Sequence, residues 1–295
     1  MLGIAITGCV PEPGLSRPTL ELVHSQSESP APSSPIHREF VLTGTAQQGS
    51  VMIGKAPTGT RTVMLDGRKV PVARDGSFLI AFDRDAPPAA MLVALGEDGV
   101  ETRRALTVGQ GNWQIERVNA PITGDATSAE FKVRRGAELE RINAARNAMR
   151  PGSSDGWRQA FIWPVAARIS GRFGSQRIYR GTPGSYHSGV DLAAVAGSTY
   201  VAPADGVVIL AASEPFTLEG NLLLIDHGMG LNSAFLHSQR LLVKVGDVVR
   251  RGQPIGIVGA TGRVTGPHLH WGMKWYDARL DPVALVNLAP PPPPR

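Results

Sequence analysis

Short apolar runs, cut apart by glycine and proline, make up most of this chain. Its 295 residues include 34 glycines and 24 prolines. Glycine loses more backbone freedom than other residues in a regular element, and proline lacks the N–H that a helix interior needs. Such punctuation leaves little room for long helices and predicts a mainly β protein. Between residues 36 and 118, apolar or alternating runs at 51–54, 62–65, 70–73, 77–82 and 90–95 are separated by turn signals such as Asp66-Gly67 and Asp75-Gly76. That spacing predicts an N-terminal β-sandwich module over 36–118.

One stretch departs from the β pattern. Residues 127–149 carry Phe131, Val133, Leu139, Ile142 and Ala145 at rough helical spacing, with Ser128 or Thr127 placed to cap them. Its charges (Arg134, Arg135, Glu138, Glu140, Arg141, Arg146) are expected on a solvated side. A short helical linker over 119–156 follows from this, closed by the turn-rich run 151–156. From Trp157 the β pattern returns, with strand-turn-strand text at 197–210, 221–228 and 253–259, and predicts a second domain over 157–288.

The chain ends differ in kind. Residues 10–35 are rich in Ser, Pro and Glu and read as a disordered tether; 289–295 read as a proline-rich tail. The segment Ile6-Thr7-Gly8-Cys9 resembles the lipobox of bacterial lipoproteins, so 1–35 is read as a signal or lipobox remnant plus tether, with a membrane lipid anchor expected at Cys9. No cationic segment precedes it and the apolar run is short, which suits a start codon lying further upstream. Cys9 is the single cysteine, so no internal disulfide framework can form. No run of about 18 apolar residues marks a transmembrane helix. The formal charge of +5 suits an anionic partner, but the basic residues are scattered, and nucleic acid is not the partner expected.

The chemistry is concentrated in three clusters: His187-Ser188-Gly189-Val190-Asp191, Phe235-Leu236-His237 and Gly266-Pro267-His268-Leu269-His270. In a strand, residues two apart share a face, so His268 and His270 project together. His187 and Asp191 flank Gly189, where a bend would bring them together. Two imidazoles and a carboxylate suit zinc, and three protein ligands leave a position for water, as catalytic rather than structural sites do. His237 and one of the His268/His270 pair then remain to move protons. Strand alternation does not say which of that pair holds the metal.

At this point a resemblance becomes specific. Residues 169–174 (ISGRFG), the HxGxD motif at 187–191, the 221–230 run, Phe235-Leu236-His237 and the closing 259–270 signature are similar, in order, to the LytM/lysostaphin-type M23 metallopeptidases of bacterial cell walls. The resemblance covers about residues 163–286. It implies a C-terminal antiparallel β-sheet peptidase domain of duplicated-hybrid-motif-like architecture. It implies His187, Asp191 and His270 as zinc (Zn2+) ligands and His237 and His268 as the catalytic pair. His227 matches a family position that is no ligand, so a structural role is expected for it. Phe235 stands where the family often has tyrosine, which is expected to remove a hydroxyl near the site but no ligand or base.

The implied function is a zinc metalloendopeptidase cutting peptide bonds in peptidoglycan stem peptides or cross-links, at the periplasmic or extracytoplasmic face of the cell envelope. The alternative is a non-catalytic LytM-like module that binds and activates a cell-wall amidase. In such modules ligands or catalytic histidines are typically replaced, whereas all five positions are competent here. Loops at 175–186, 213–220 and 260–267 are expected to wall a groove, with Arg177, Tyr179, Arg180 and Tyr186 available to touch substrate.

Overall fold

The structure, a computed structural model, describes residues 38–121, 128–212 and 214–286. The Cys9 lipobox, the tether, Thr127 and the proline-rich tail lie outside them. Among the described residues no helix is long and apolar enough to cross a membrane.

The N-terminal half is built of two antiparallel sheets. One has three strands in the order Val41–Thr43, Val51–Lys55, Ser77–Ala81; the other has four, in the order Arg68–Val70, Thr60–Leu65, Ala89–Gly96, Glu101–Thr107. The Asp66-Gly67 turn joins two of these strands with φ of 48° and 80°, as a two-residue hairpin requires. Strand Glu101–Thr107 escaped the sequence reading, because only Leu106 of its seven residues is buried and its text is polar and basic.

The C-terminal half holds an eight-stranded antiparallel sheet. Its order is Val248–Val249, Gly206–Ala211, Asn221–Gly228, Leu231–Ser238, Leu269–Trp275, Gly189–Leu192, Ile169–Gly171, with Ala278–Leu280 also paired to Leu269–Trp275. Alternation sorts the Leu269–Trp275 strand cleanly. Leu269, Trp271, Met273 and Trp275 are buried at 2% exposure or less, while His270, Gly272 and Lys274 take the opposite face. Buried apolar residues of both halves, from Val51 through Phe78 and Leu92 to Trp271 and Leu285, form one continuous core.

Three features tie the halves together around the site. Strand Ile115–Val118 pairs in parallel with Gln176–Tyr179, inside the loop expected to wall the groove. Trp113 packs edge-on to Phe173, with ring centroids 5.4 Å apart. Buried Arg84 donates to the Gly174 carbonyl at 3.1 Å and to Gln176 Oε1 at 2.9 Å.

The helix forms at Ala129–Asn147, capped by Ser128, whose hydroxyl accepts from the Phe131 N–H at 3.1 Å. Its packing corrects the sequence reading. Val133 is 76% exposed and Leu139 42%, whereas Glu138, expected in solvent, is buried. Glu138 accepts from the Thr217 N–H at 2.6 Å and its hydroxyl at 2.7 Å, and Arg135 grips Glu219 through two 2.7 Å contacts. Burial alone would raise the Glu138 pKa, but the Thr217 bonds, with further bonds from Arg135 at 3.2 Å and Arg134 at 3.3 Å, hold it below the usual carboxylate range. Ile142 is the one apolar side chain of the helix that is buried, against Leu222 and Leu224. Periodicity alone could not see this, because the docking contacts are ionic and lie in a distant loop.

Candidate functional site

The register of the main sheet assembles the site. Asp191 lies directly across from His270, and His270 across from Leu236. Directly opposed residues have Cβ atoms about 5 Å apart, so Asp191 and His270 are neighbours by strand pairing alone. His187 joins them from just before its strand: His187 Nε2 lies 3.0 Å from Asp191 Oδ1 and 3.1 Å from His270 Nδ1, and His270 Nδ1 lies 2.9 Å from the same Oδ1. These three residues form a group that could hold a metal ion. Gly189 makes the approach possible. A Cβ there would fall 2.7 Å from His270 Nε2 and 2.5 Å from the Trp271 carbonyl, so the motif requires a residue without one.

The protons decide what the trio suits. His187 Nδ1 lies 3.0 Å from the Arg172 carbonyl and must donate to it. A neutral His187 therefore turns the lone pair of Nε2 toward an ionised carboxylate oxygen and a second imidazole. Three electron-pair donors then converge within 3.1 Å, which is unfavourable unless a proton or a cation lies among them. Two imidazoles and a carboxylate match the donor set of a divalent zinc site, so the residues fit the metal. The electrostatics agree. Burial would raise the Asp191 pKa, yet bonds and charge from His187 and His270 drive it far below the usual carboxylate range. Burial would lower His187, but Asp191 raises it overall; His270, more deeply enclosed, is lowered by burial despite Asp191.

His237 and His268 stand beside this trio. Their ring centroids are 5.0 Å apart, and His237 is 6.2 Å from His270. His268 Nε2 is 3.6 Å from Asp191 Oδ1. His237 reaches the site against simple alternation, which would send it with Phe235 into the core. The pairing register shifts near Asn221 and Leu223, and His237 adopts φ of 64°, a left-handed conformation uncommon outside glycine. The bulge re-aims the ring, and the Glu219 carbonyl accepts its backbone N–H at 2.8 Å. His237 Nδ1 donates to the Thr261 carbonyl at 2.9 Å and His268 Nδ1 to the Gly266 carbonyl at 2.9 Å, leaving each Nε2 free to exchange a proton. Burial, then the neighbouring His270 and His268, lower the His237 pKa to about 4, so its ring is neutral at pH 7.

Two expected residues lie elsewhere. His227 is fully buried on the core side of the sheet, between the Asp205 carbonyl and Ser233 Oγ, each at 2.7 Å. Phe235 is also in the core, stacked 5.4 Å from Tyr200 and 6.5 Å from Trp271, so a hydroxyl there would not have been near the site. Sequence reasoning missed the carbonyls of Arg172, Thr261 and Gly266 that fix the three tautomers, since backbone groups leave no mark in side-chain text. A cavity of about 1170 Å³ opens beside His187 and Asp191, lined by Gln114, Glu116, Arg177, Tyr179 and Tyr186 among others. Thus strand Ile115–Val118, read as the end of the first module, walls the site.

Comparison with known proteins places the region that carries these residues in a peptidase family. The sequence profile of peptidase family M23 matches residues 185–282. The peptidoglycan DD-endopeptidase ShyA of Vibrio cholerae is 33% identical over 208 residues, 67% of this chain and 48% of ShyA. The DD-carboxypeptidase/endopeptidase Mpg of Neisseria meningitidis is 38% identical over 135 residues, 44% of this chain and 29% of Mpg. The chain thus spans about half the length of ShyA and less of Mpg. A solved structure of a Pseudomonas aeruginosa protein assigned to peptidase M23 superposes with a TM-score of 0.62 at 27% identity, covering 83% of this chain and 96% of that one. Residues 185–282, which carry all five of these side chains, form a domain that matches peptidase family M23.

Proposed function

We propose that the chain is a zinc metalloendopeptidase that hydrolyses peptide bonds in peptidoglycan, with His187, Asp191 and His270 holding the metal. The observation that carries this reading is the convergence of three donor atoms within 3.1 Å of one another, with two further imidazoles beside them. Zinc there would supply a Lewis acid that ionises water near neutral pH and polarises the scissile carbonyl. The chain's own residues supply the rest. His237, neutral and held by the Thr261 carbonyl, accepts a proton at Nε2 and then stabilises negative charge as an imidazolium. His268, held by Gly266, presents a second Nε2 beside the His237 ring, and the proton that His237 has accepted passes on to the leaving amine. The ShyA name supports peptidoglycan as the substrate, and that substrate the extracytoplasmic face of the envelope as the place of action, with an anchor at Cys9 compatible with both.

Metal content and cleavage of purified peptidoglycan, measured together, test the assignment. His187→Ala and His270→Ala should lose zinc and lose cleavage. His237→Ala should keep zinc and lose a factor of about 10²–10⁴ in rate. Intact cleavage by either ligand variant would sink the zinc mechanism. Mass spectrometry of the released fragments would name the bond.

A further inference from the structure

On the other side of His270 the sheet face runs into a second depression, of about 260 Å³. Its floor includes Gly272 and Ala234, directly opposed across the strand pair and too small to fill the space above them. One wall is the Ala129–Asn147 helix, which lies outside the matched family region, and Ser188 and Arg279 also line the space. Lys274 follows His270 by four residues on one strand and so shares its face, about 13 Å further along at roughly 3.3 Å per residue.

The charge in this depression is one-sided. Arg135 and Glu219 both line it but neutralise each other through their two 2.7 Å contacts. Arg146 from the helix, Lys274 and Arg279 remain, and none of the three forms a salt bridge among the described residues. Arg146 Nε donates only to the neutral Asn232 side chain at 3.2 Å, and Arg279 to the Tyr186 hydroxyl at 3.3 Å. Two carboxylates act on Lys274 from a distance: Asp277, which pairs with Arg68 at 3.0 Å, and Asp83, which accepts the Arg279 backbone N–H at 2.8 Å; neither forms an ion pair with the three cations among the described residues. Burial, then repulsion from Arg146 and Arg279, lowers the Lys274 pKa to about 8; burial and Arg279 lower Arg146 to about 10. Three cations drawn from a helix and two strands toward one half-enclosed trough repel one another unless an anion joins them.

We propose that Arg146, Lys274 and Arg279 form a subsite for a carboxylate of the substrate peptide, lying within about four extended residues of the bond held at His270. This rests on the peptidase reading above. The trough is continuous with His270, so the anion it receives belongs to the chain being cut. Arginine and lysine supply the charge-assisted donors that separate a carboxylate from its amide.

The test uses the full, zinc-loaded chain and two cross-linked peptide substrates that differ only in one carboxylate converted to a carboxamide. Binding of the matching short acid and amide fragments is followed by calorimetry. The wild type should favour the acid by about tenfold in kcat/KM, mostly through KM, as the loss of one charge-assisted bond predicts. Lys274→Met should bring the acid-to-amide ratio near one, and Lys274→Arg should retain the preference. A ratio near one in the wild type, or one unchanged by Lys274→Met, overturns the subsite while leaving the peptidase reading intact. Binding of the acid fragment that depends on Lys274, in a chain that cuts neither substrate, supports the subsite and removes the peptidase reading.

Discussion

His227 and His237 show how differently one residue type is used on the two faces of one sheet. Burial holds both pKa values at about 4, but His237 opens to the site and His227 is enclosed between Asp205 and Ser233. For His227 the effect is one of stability. Its folded pKa lies below the value of 6.5 in the unfolded chain, so the unfolded state takes the proton first on acidification. Its contribution is complete above pH 6.5 and is lost as pH falls toward 4, on the order of 3 kcal/mol in all. Urea midpoints between pH 7 and pH 4.5 should therefore fall more steeply for the wild type than for His227→Gln, at equal zinc. Parallel pH slopes would show that His227 takes its proton in the folded protein. The five candidate residues that the fold brings together were legible in the sequence through motif order. The left-handed bend that brings His237 to them was not, because nothing in Phe235-Leu236-His237 announces a bulge.

At the scale of elements, the Ala129–Asn147 helix carries the clearest lesson. Its boundaries and Ser128 cap could be anticipated from local text, since capping and turn residues act within a few positions. Its docking face could not, because Glu138 and Arg135 find Thr217 and Glu219 about eighty residues later. The same loop supplies the Glu219 carbonyl that receives the His237 N–H, so the helix anchor and the site share one support. Glu138→Ala should destabilise the protein by about 2–4 kcal/mol, because it leaves the half-buried Thr217 N–H and hydroxyl without their acceptor and removes a partner of Arg135. Thermal unfolding would read that loss, and a change within about 0.5 kcal/mol, the range of ordinary surface substitutions, would mean the contact is dispensable.

Across the whole molecule, the two β regions separated by the helix share one core and several cross-links. The Arg84 bonds to Gly174 and Gln176, the Trp113–Phe173 contact, the Arg158–Asp75 pair at 3.0 Å and the Asp281 N–H donating to the Gly49 carbonyl at 2.8 Å all join them. Calorimetric unfolding should accordingly show one transition, with calorimetric and van't Hoff enthalpies equal. Two resolved transitions would show that the halves unfold separately. Local text alone gave the β class, the short turns, the capped helix and the candidate residues of the site. Those depend on local backbone preference and on residue type, which the text states directly. Tertiary structure decided that Ile115–Val118 walls the groove, that His237 turns away from the core, and that Arg146 meets Lys274 and Arg279 beside His270. Those outcomes rest on strand register and on ion pairs between distant segments, and long-range pairing has no fixed spacing along the chain by which it could be read.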